Sequence, residues 1–158
     1  RWLPHITQYV STDELQAFLA IGYSIGGMML FPGKQVGRKW TMNQARGCTR
    51  QIRDRFDLTL ECIRRHYAGG MSPLSDVLNR YQAFFGLFRD FRGYVEFFLL
   101  QDLVSADFAA VHISGQCDNF VGSPIPGSAS EYRAYRDAAT AFIQSRNRRI
   151  LASLESVA

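Results

Sequence analysis

The sequence predicts a mainly α chain with a small β-hairpin: an α+β, compact helical domain spanning residues 1–158. Three observations support this class. Apolar residues recur at helical spacing through 52–67 and again after Pro73. Serine or threonine stands three residues ahead of Glu or Gln at several segment starts, the pattern of a capping box. One glycine-punctuated apolar stretch is followed by a polar turn, as in a hairpin.

Taken in order, Ser11 and Glu14 cap a first helix over about 12–20, stopped by Gly22, Gly26 and Gly27. "YSIGGMMLF" reads as a buried strand, "PGKQVGRK" (32–39) as the turn, and "WTM" as the returning strand. The stretch 17–31 holds no charge, but it falls short of the roughly 20 residues that span a bilayer. No membrane partner is therefore expected, and the location expected is cytoplasmic. Thr41 and Gln44 form a second capping pattern, opening "NQAR".

Thr49 then caps a long helix over 50–67, in which Ile52, Phe56, Leu60, Ile63 and Tyr67 share one face. Gly69 and Gly70 end it. Ser72-Pro73 starts the next helix, with Leu74, Val77, Leu78, Tyr81, Phe84, Phe85 and Phe88 on a wide apolar stripe and a bend near 89–93. "YVEFFLLQDLV" is apolar nearly all round and is expected to be the buried centre. "FAAVHI" (108–113) reads as a further strand, and 114–130 as an exposed loop rich in Gly, Ser and Pro. A final helix runs from about 130 to 155.

Composition narrows the function classes. Aromatics make up 13% of the chain, which argues against disorder. The net charge of +4 is far below that of a dedicated nucleic-acid protein, although 16 of the 18 basic residues are arginine, the planar donor suited to carboxylate and phosphate. Cys48, Cys62 and Cys117 are widely spaced and form no CxxC pair, so neither a zinc ribbon nor a disulfide framework is indicated.

The segments "IGGMMLFPGKQVGRKWTMNQARG", "IRDRFDLTLECIRRHY", "SPLSDVLNRYQAFFGLFRDFRGYVEFFLLQDLV" and "FIQSRNRRI" resemble an uncharacterised bacterial family that carries a domain-of-unknown-function label. The resemblance covers nearly the whole chain and supplies no mechanism. It implies longer members with an additional N-terminal region, so that a site shared with that region would be incomplete here.

Two groups of residues could carry chemistry. The first is "DRFDLTLECIRRHY" (54–67). On a helix, Asp54, Asp57 and Glu61 stand at i, i+3 and i+7, within reach of one point, as a hard divalent cation such as magnesium would require. Crowded carboxylates also suit acid–base work, which makes Asp57, Glu61 and His66 the catalytic candidates. The same spacing allows Arg50–Asp54, Arg53–Asp57 and Glu61–Arg65 pairs at i, i+4, a self-neutralising ladder that competes with any metal. On that ground no cofactor is expected, with the divalent metal as the weaker alternative. Leu58 and Cys62 flank the charged face and imply that something covers it.

The second group is Arg38, Lys39, Arg46, Arg50, Arg53 and Arg55, with only Asp54 among them. Helix starts near 43 and 50 would add backbone donors for phosphate, and Trp40 offers a stacking surface. Arg38, Arg46, Arg50, Arg53 and Trp40 are accordingly the expected phosphate-binding residues, for a nucleotide or RNA. "PGKQVG" lacks the ending of a P-loop. An ordinary solvated arginine face explains the same cluster equally well. Arg146, Arg148 and Arg149 read as a charge bias at a helix end. The alternative function is a non-enzymatic interaction module, a homodimer or a toxin–antitoxin-type partner. Whether the chain is an enzyme does not follow from these residues.

Overall fold

The computed structural model describes residues 3–115 and 117–155. Its helices are α1 (Leu3–Ile6), α2 (Thr12–Gly22), α3 (Met42–Cys48), α4 (Phe56–Tyr67), α5 (Ser75–Arg80), α6 (Gln82–Gly86), α7 (Phe91–Phe97) and α8 (Ala129–Glu155). They belong to two compact units. One gathers the described residues of Arg1–Met28, Ser114–Gln116 and Ile125–Ala158, and the other Met29–Ile113 and Cys117–Pro124. No helix among the described residues is long and apolar enough to cross a membrane.

In the first unit, Ser11 caps α2 by accepting from the Glu14 amide, as its spacing predicts. The apolar side of α2 and α8 joins Ile6, Val10, Leu15 and Tyr132 in a small core, with Phe18 edge-on to Tyr132 and Tyr135. Tyr9 donates to the Pro126 carbonyl. Glu14 is shared by Arg133 and Arg136 of α8.

The expected β-hairpin does not form. Among the described residues there is no strand or sheet, only an isolated antiparallel bridge between Val104 and Val111, so the predicted strand over 108–113 is also overturned. Ile25–Gly27 form a 3₁₀ turn instead. Its backbone groups are satisfied by side chains of α8. The Gly26 amide donates to Asn147 Oδ1 at 2.7 Å, and Arg146 Nη1 donates to the Gly26 and Met28 carbonyls at 3.0 and 2.7 Å. Groups that a paired strand would occupy are already bonded, so the segment needs no ladder. Arg146 is buried in this role, not one of a solvated set at a helix end.

In the second unit the long helix predicted over 50–67 starts late. Residues 50–54 are turns, with Arg53 and Asp54 at φ 49° and 68°, and α4 begins at Phe56. Thr49 is therefore not its cap. The two left-handed residues are held by a bond from the Asp54 amide to the Arg46 carbonyl and by the Arg46–Asp54 ion pair at 3.2 Å. The centre of this unit is α4 rather than "YVEFFLLQDLV". Every residue from Asp57 to Ile63 is buried, whereas Phe97 of α7 is 69% exposed. The helix expected after Pro73 is broken at Tyr81 into α5 and α6. Tyr67 closes α4 against this aromatic layer, donating to the Phe85 carbonyl at 2.7 Å and packing on Phe85, Phe91 and Tyr94.

Candidate functional site

Two neighbourhoods of the second unit contain the residues singled out by the sequence. The first is the acidic helix. Asp57 sits in the first turn of α4 and Arg64, Arg65 and His66 in its last, an order that complements the helix dipole. Asp57 is buried and takes both its oxygens to Arg55, whose Nε lies 3.0 Å from Oδ1, while Oδ1 also accepts from the Leu58 amide. Arg55 Nη1 reaches the Pro124 carbonyl at 3.3 Å and Cys117 Sγ at 3.5 Å. Arg65 lies over the Phe120 ring at 4.8 Å. The loop 117–124 therefore lies against Arg55 and Arg65, at the start and the last turn of α4, while Cys62 on the flank of the charged face meets Ser72 and Leu74.

Glu61 accepts from Arg64 Nε and Nη2 at 2.7 and 2.9 Å and from Arg65 Nε at 2.8 Å. Burial alone would raise its pKa, but the bonds and charges of the two arginines outweigh it and hold the carboxyl below its ordinary value. The ladder forms as expected for Glu61–Arg65. The other two rungs change partners: Asp54 pairs with Arg46 and Asp57 with Arg55, because 50–54 is not helical. For the same reason Asp54, Asp57 and Glu61 do not converge, and no group of three His, Cys, Asp or Glu among the described residues could hold a metal ion.

His66 is half-buried, edge-on to Phe85. Burial lowers its pKa, opposed by a hydrogen bond with Asn79. Burial pushes the Cys62 thiol up to about 12, which removes it as a nucleophile at neutral pH.

The second neighbourhood is a pocket of about 410 Å³ lined by Arg38, Lys39, Trp40, Ala45, Thr49, Pro73, Leu74, Asp76, Val77 and Arg80. Its apolar floor comes from Ala45 of α3, Leu74 just before α5 and Val77 of α5, which are buried. Its rim comes from the strandless segment before Thr41. The Thr41–Gln44 capping box predicted from the sequence fixes where that segment meets α3. Arg80 ties the rim to the floor, donating from Nη2 to the Trp40 carbonyl at 2.9 Å and from Nη1 to the Asp76 carbonyl at 3.2 Å. Tyr81 holds the segment further back, donating to the Lys34 carbonyl at 2.7 Å. Trp40 is left 56% exposed at the pocket's edge.

The expected phosphate-binding residues divide between these places. Arg38 and Trp40 line the pocket together with Lys39. Arg46 turns elsewhere, to Asp54 and to Thr59 Oγ1 at 3.3 Å. Arg50 and Arg53 lie in the turn after α3, outside the lining. The backbone donors expected at two helix starts are reduced as well. The capping box occupies the Gln44 amide of α3, and no helix begins at 50. Asp76 and Arg80 are pocket residues that the sequence reading missed. They lie about 40 positions beyond Trp40, and no local spacing rule links such distant residues.

No curated protein and no solved structure shows significant similarity to the chain. A family model matches residues 1–150, and its description assigns no activity. The chain belongs to that family, the family of unknown function DUF6994.

Proposed function

We propose that the pocket between α3 and α5 binds a phosphate-bearing ligand of mononucleotide size. The observation that carries this reading is the meeting of Arg38, Lys39 and the exposed Trp40 ring on one pocket of about 410 Å³ with an apolar floor. A volume of this order suits a small ligand. The Arg38 and Lys39 side chains have no hydrogen-bond or ion-pair partner among the described residues, so both charges are available to an anion. Trp40 supplies the face on which a base stacks. The acidic helix has a different part in this reading. Its carboxylates are committed to Arg55, Arg64 and Arg65, so it supports the unit and does not contact the ligand.

The test is titration of the protein with nucleoside monophosphates, a short oligoribonucleotide and inorganic phosphate, followed by calorimetry and by tryptophan fluorescence. Saturable nucleotide binding is expected. Trp40→Ala should cost about 1–3 kcal/mol of it, the range for one base on an aromatic ring. Arg38→Ala and Lys39→Ala should weaken both nucleotide and phosphate binding, while Arg50→Ala should change neither. Absence of nucleotide binding at millimolar concentration would overturn the reading.

A specific observation favours a second reading, an interaction module. Leu87 and Phe97 are 74% and 69% exposed in the second unit, and the Phe97 ring packs at 5.1 Å on Phe88. A concentration-dependent dimer that Phe97→Ser abolishes, in a protein that binds no nucleotide, would favour it.

A further inference from the structure

The pocket holds one feature that phosphate binding does not use. Asp76 stands in its lining among three cations, Arg38, Lys39 and Arg80, yet its carboxylate pairs with none of them. It has no hydrogen-bond or ion-pair partner among the described residues. Arg80 is the near neighbour that would ordinarily neutralise it, but its two terminal nitrogens donate to the Asp76 and Trp40 carbonyls, and its Nε is buried without a partner among the described residues. Free charges of both signs thus share one pocket without cancelling. The Arg38, Lys39 and Asp76 side chains are all open to solvent, so the ligand best matched to them brings acceptors for Arg38 and Lys39 and hydrogen-bond donors for Asp76. An all-anionic ligand such as inorganic phosphate or a polyphosphate would leave the carboxylate facing like charge.

We propose, resting on the nucleotide reading above, that Asp76 is a specificity-determining residue that selects a guanine base. The argument is one of matching donors. A carboxylate has two oxygens that accept side by side. Guanine presents an N1–H and an N2 amino group side by side on its Watson–Crick edge, so both oxygens are satisfied at once. Adenine, cytosine and uracil each offer a single donor position on that edge. Stacking on Trp40 would hold the ring over the apolar floor, with its edge toward Asp76 and the 5′-phosphate toward Arg38 and Lys39.

The experiment compares GMP, IMP, XMP, AMP and dGMP on the full chain and on Asp76→Asn, with inorganic phosphate as the probe of the anion subsite alone. GMP is expected to bind about fivefold to 150-fold tighter than AMP or IMP, the range by which a bidentate pair discriminates. IMP keeps N1–H and lacks only the amino group. Asp76→Asn should abolish the GMP preference and shift it toward XMP, because the new amide can donate to the 2-oxo group that xanthine carries. Asp76 is exposed on the first turn of α5, so the variant should fold, and an unchanged melting temperature checks this.

Equal binding of GMP, IMP and AMP would overturn the guanine inference and leave the nucleotide site standing. So would a uniform gain for all nucleotides in Asp76→Asn, which would mark the carboxylate as mere repulsion. Marked loss with dGMP would overturn it too, by assigning Asp76 to the ribose hydroxyls. Failure of every nucleotide to bind would overturn both readings together.

Discussion

A buried carboxylate matched by arginine keeps its charge but has its oxygens committed, and this distinction governs Asp57 and Glu61. Breaking such a pair leaves a lone buried charge, which costs about 3–5 kcal/mol, whereas replacing both partners by apolar groups of similar size is often neutral. Arg55→Met should therefore destabilise strongly in chemical denaturation, and Arg55→Met with Asp57→Leu should recover most of the loss. A catalytic role for Asp57 would not predict that recovery. Glu61 adds a pH dependence with a definite sign. Its carboxyl titrates below the usual 4.5 in the folded chain, so its contribution is complete above that value and is lost as pH falls through the lower, folded value. Denaturation midpoints measured between pH 6 and pH 3 should fall, and fall less steeply in Glu61→Gln. An equal slope in the variant would remove Glu61 from the account.

Elements were legible where the deciding interaction is local. The caps at Ser11 and Thr41 involve residues three apart, and both form as their spacing indicates. The hairpin at 23–42 failed because the deciding partners lie about 120 residues away, on α8. No periodicity rule can see that Asn147 and Arg146 will occupy the backbone of Gly26. The start of α4 failed for a related reason. The apolar repeat at Ile52 is real, and Ile52 is buried, but the Arg46–Asp54 pair closes a tight turn there instead of a helix. The same limit applies to the pocket. Arg38 and Trp40 were visible as a local cluster, whereas Asp76 and Arg80 enter only through packing. The α8 clamp makes a prediction of its own. A Cβ on Gly26 would lie 2.5 Å from the Ile143 carbonyl oxygen and 2.7 Å from Asn147 Oδ1, so Gly26→Ala must displace backbone. A loss of about 1–3 kcal/mol in urea denaturation is expected, as for other overpacked sites. Asn147→Ala should also destabilise, by about 1–3 kcal/mol, through an unmet Gly26 amide. If both variants melt like the parent, the clamp does not hold the first unit together.

At the scale of the whole molecule, charge separates the ligand classes that the pocket could serve. The net charge of +4 is modest, and among the lining residues only Arg38 and Lys39 are cations free of other bonds. Binding through a basic face that tracks a strand would neutralise many phosphates, and log affinity would then fall with log salt by about 0.7 for each phosphate contacted. A pocket that holds the single phosphate of a mononucleotide should give a slope of no more than about 0.7 on the same scale. Titrations between 50 and 300 mM salt should thus show a shallow dependence for a mononucleotide, with no added slope for a longer oligoribonucleotide. Hydrogen exchange offers the complementary view, because ligand binding to the folded state slows opening where the ligand sits. Saturating GMP should protect amides of the segments 38–49 and 73–80 and leave those of α8 unchanged. Protection spread over α8, or a slope that grows with oligonucleotide length, would mean that a broad surface rather than this pocket meets the ligand.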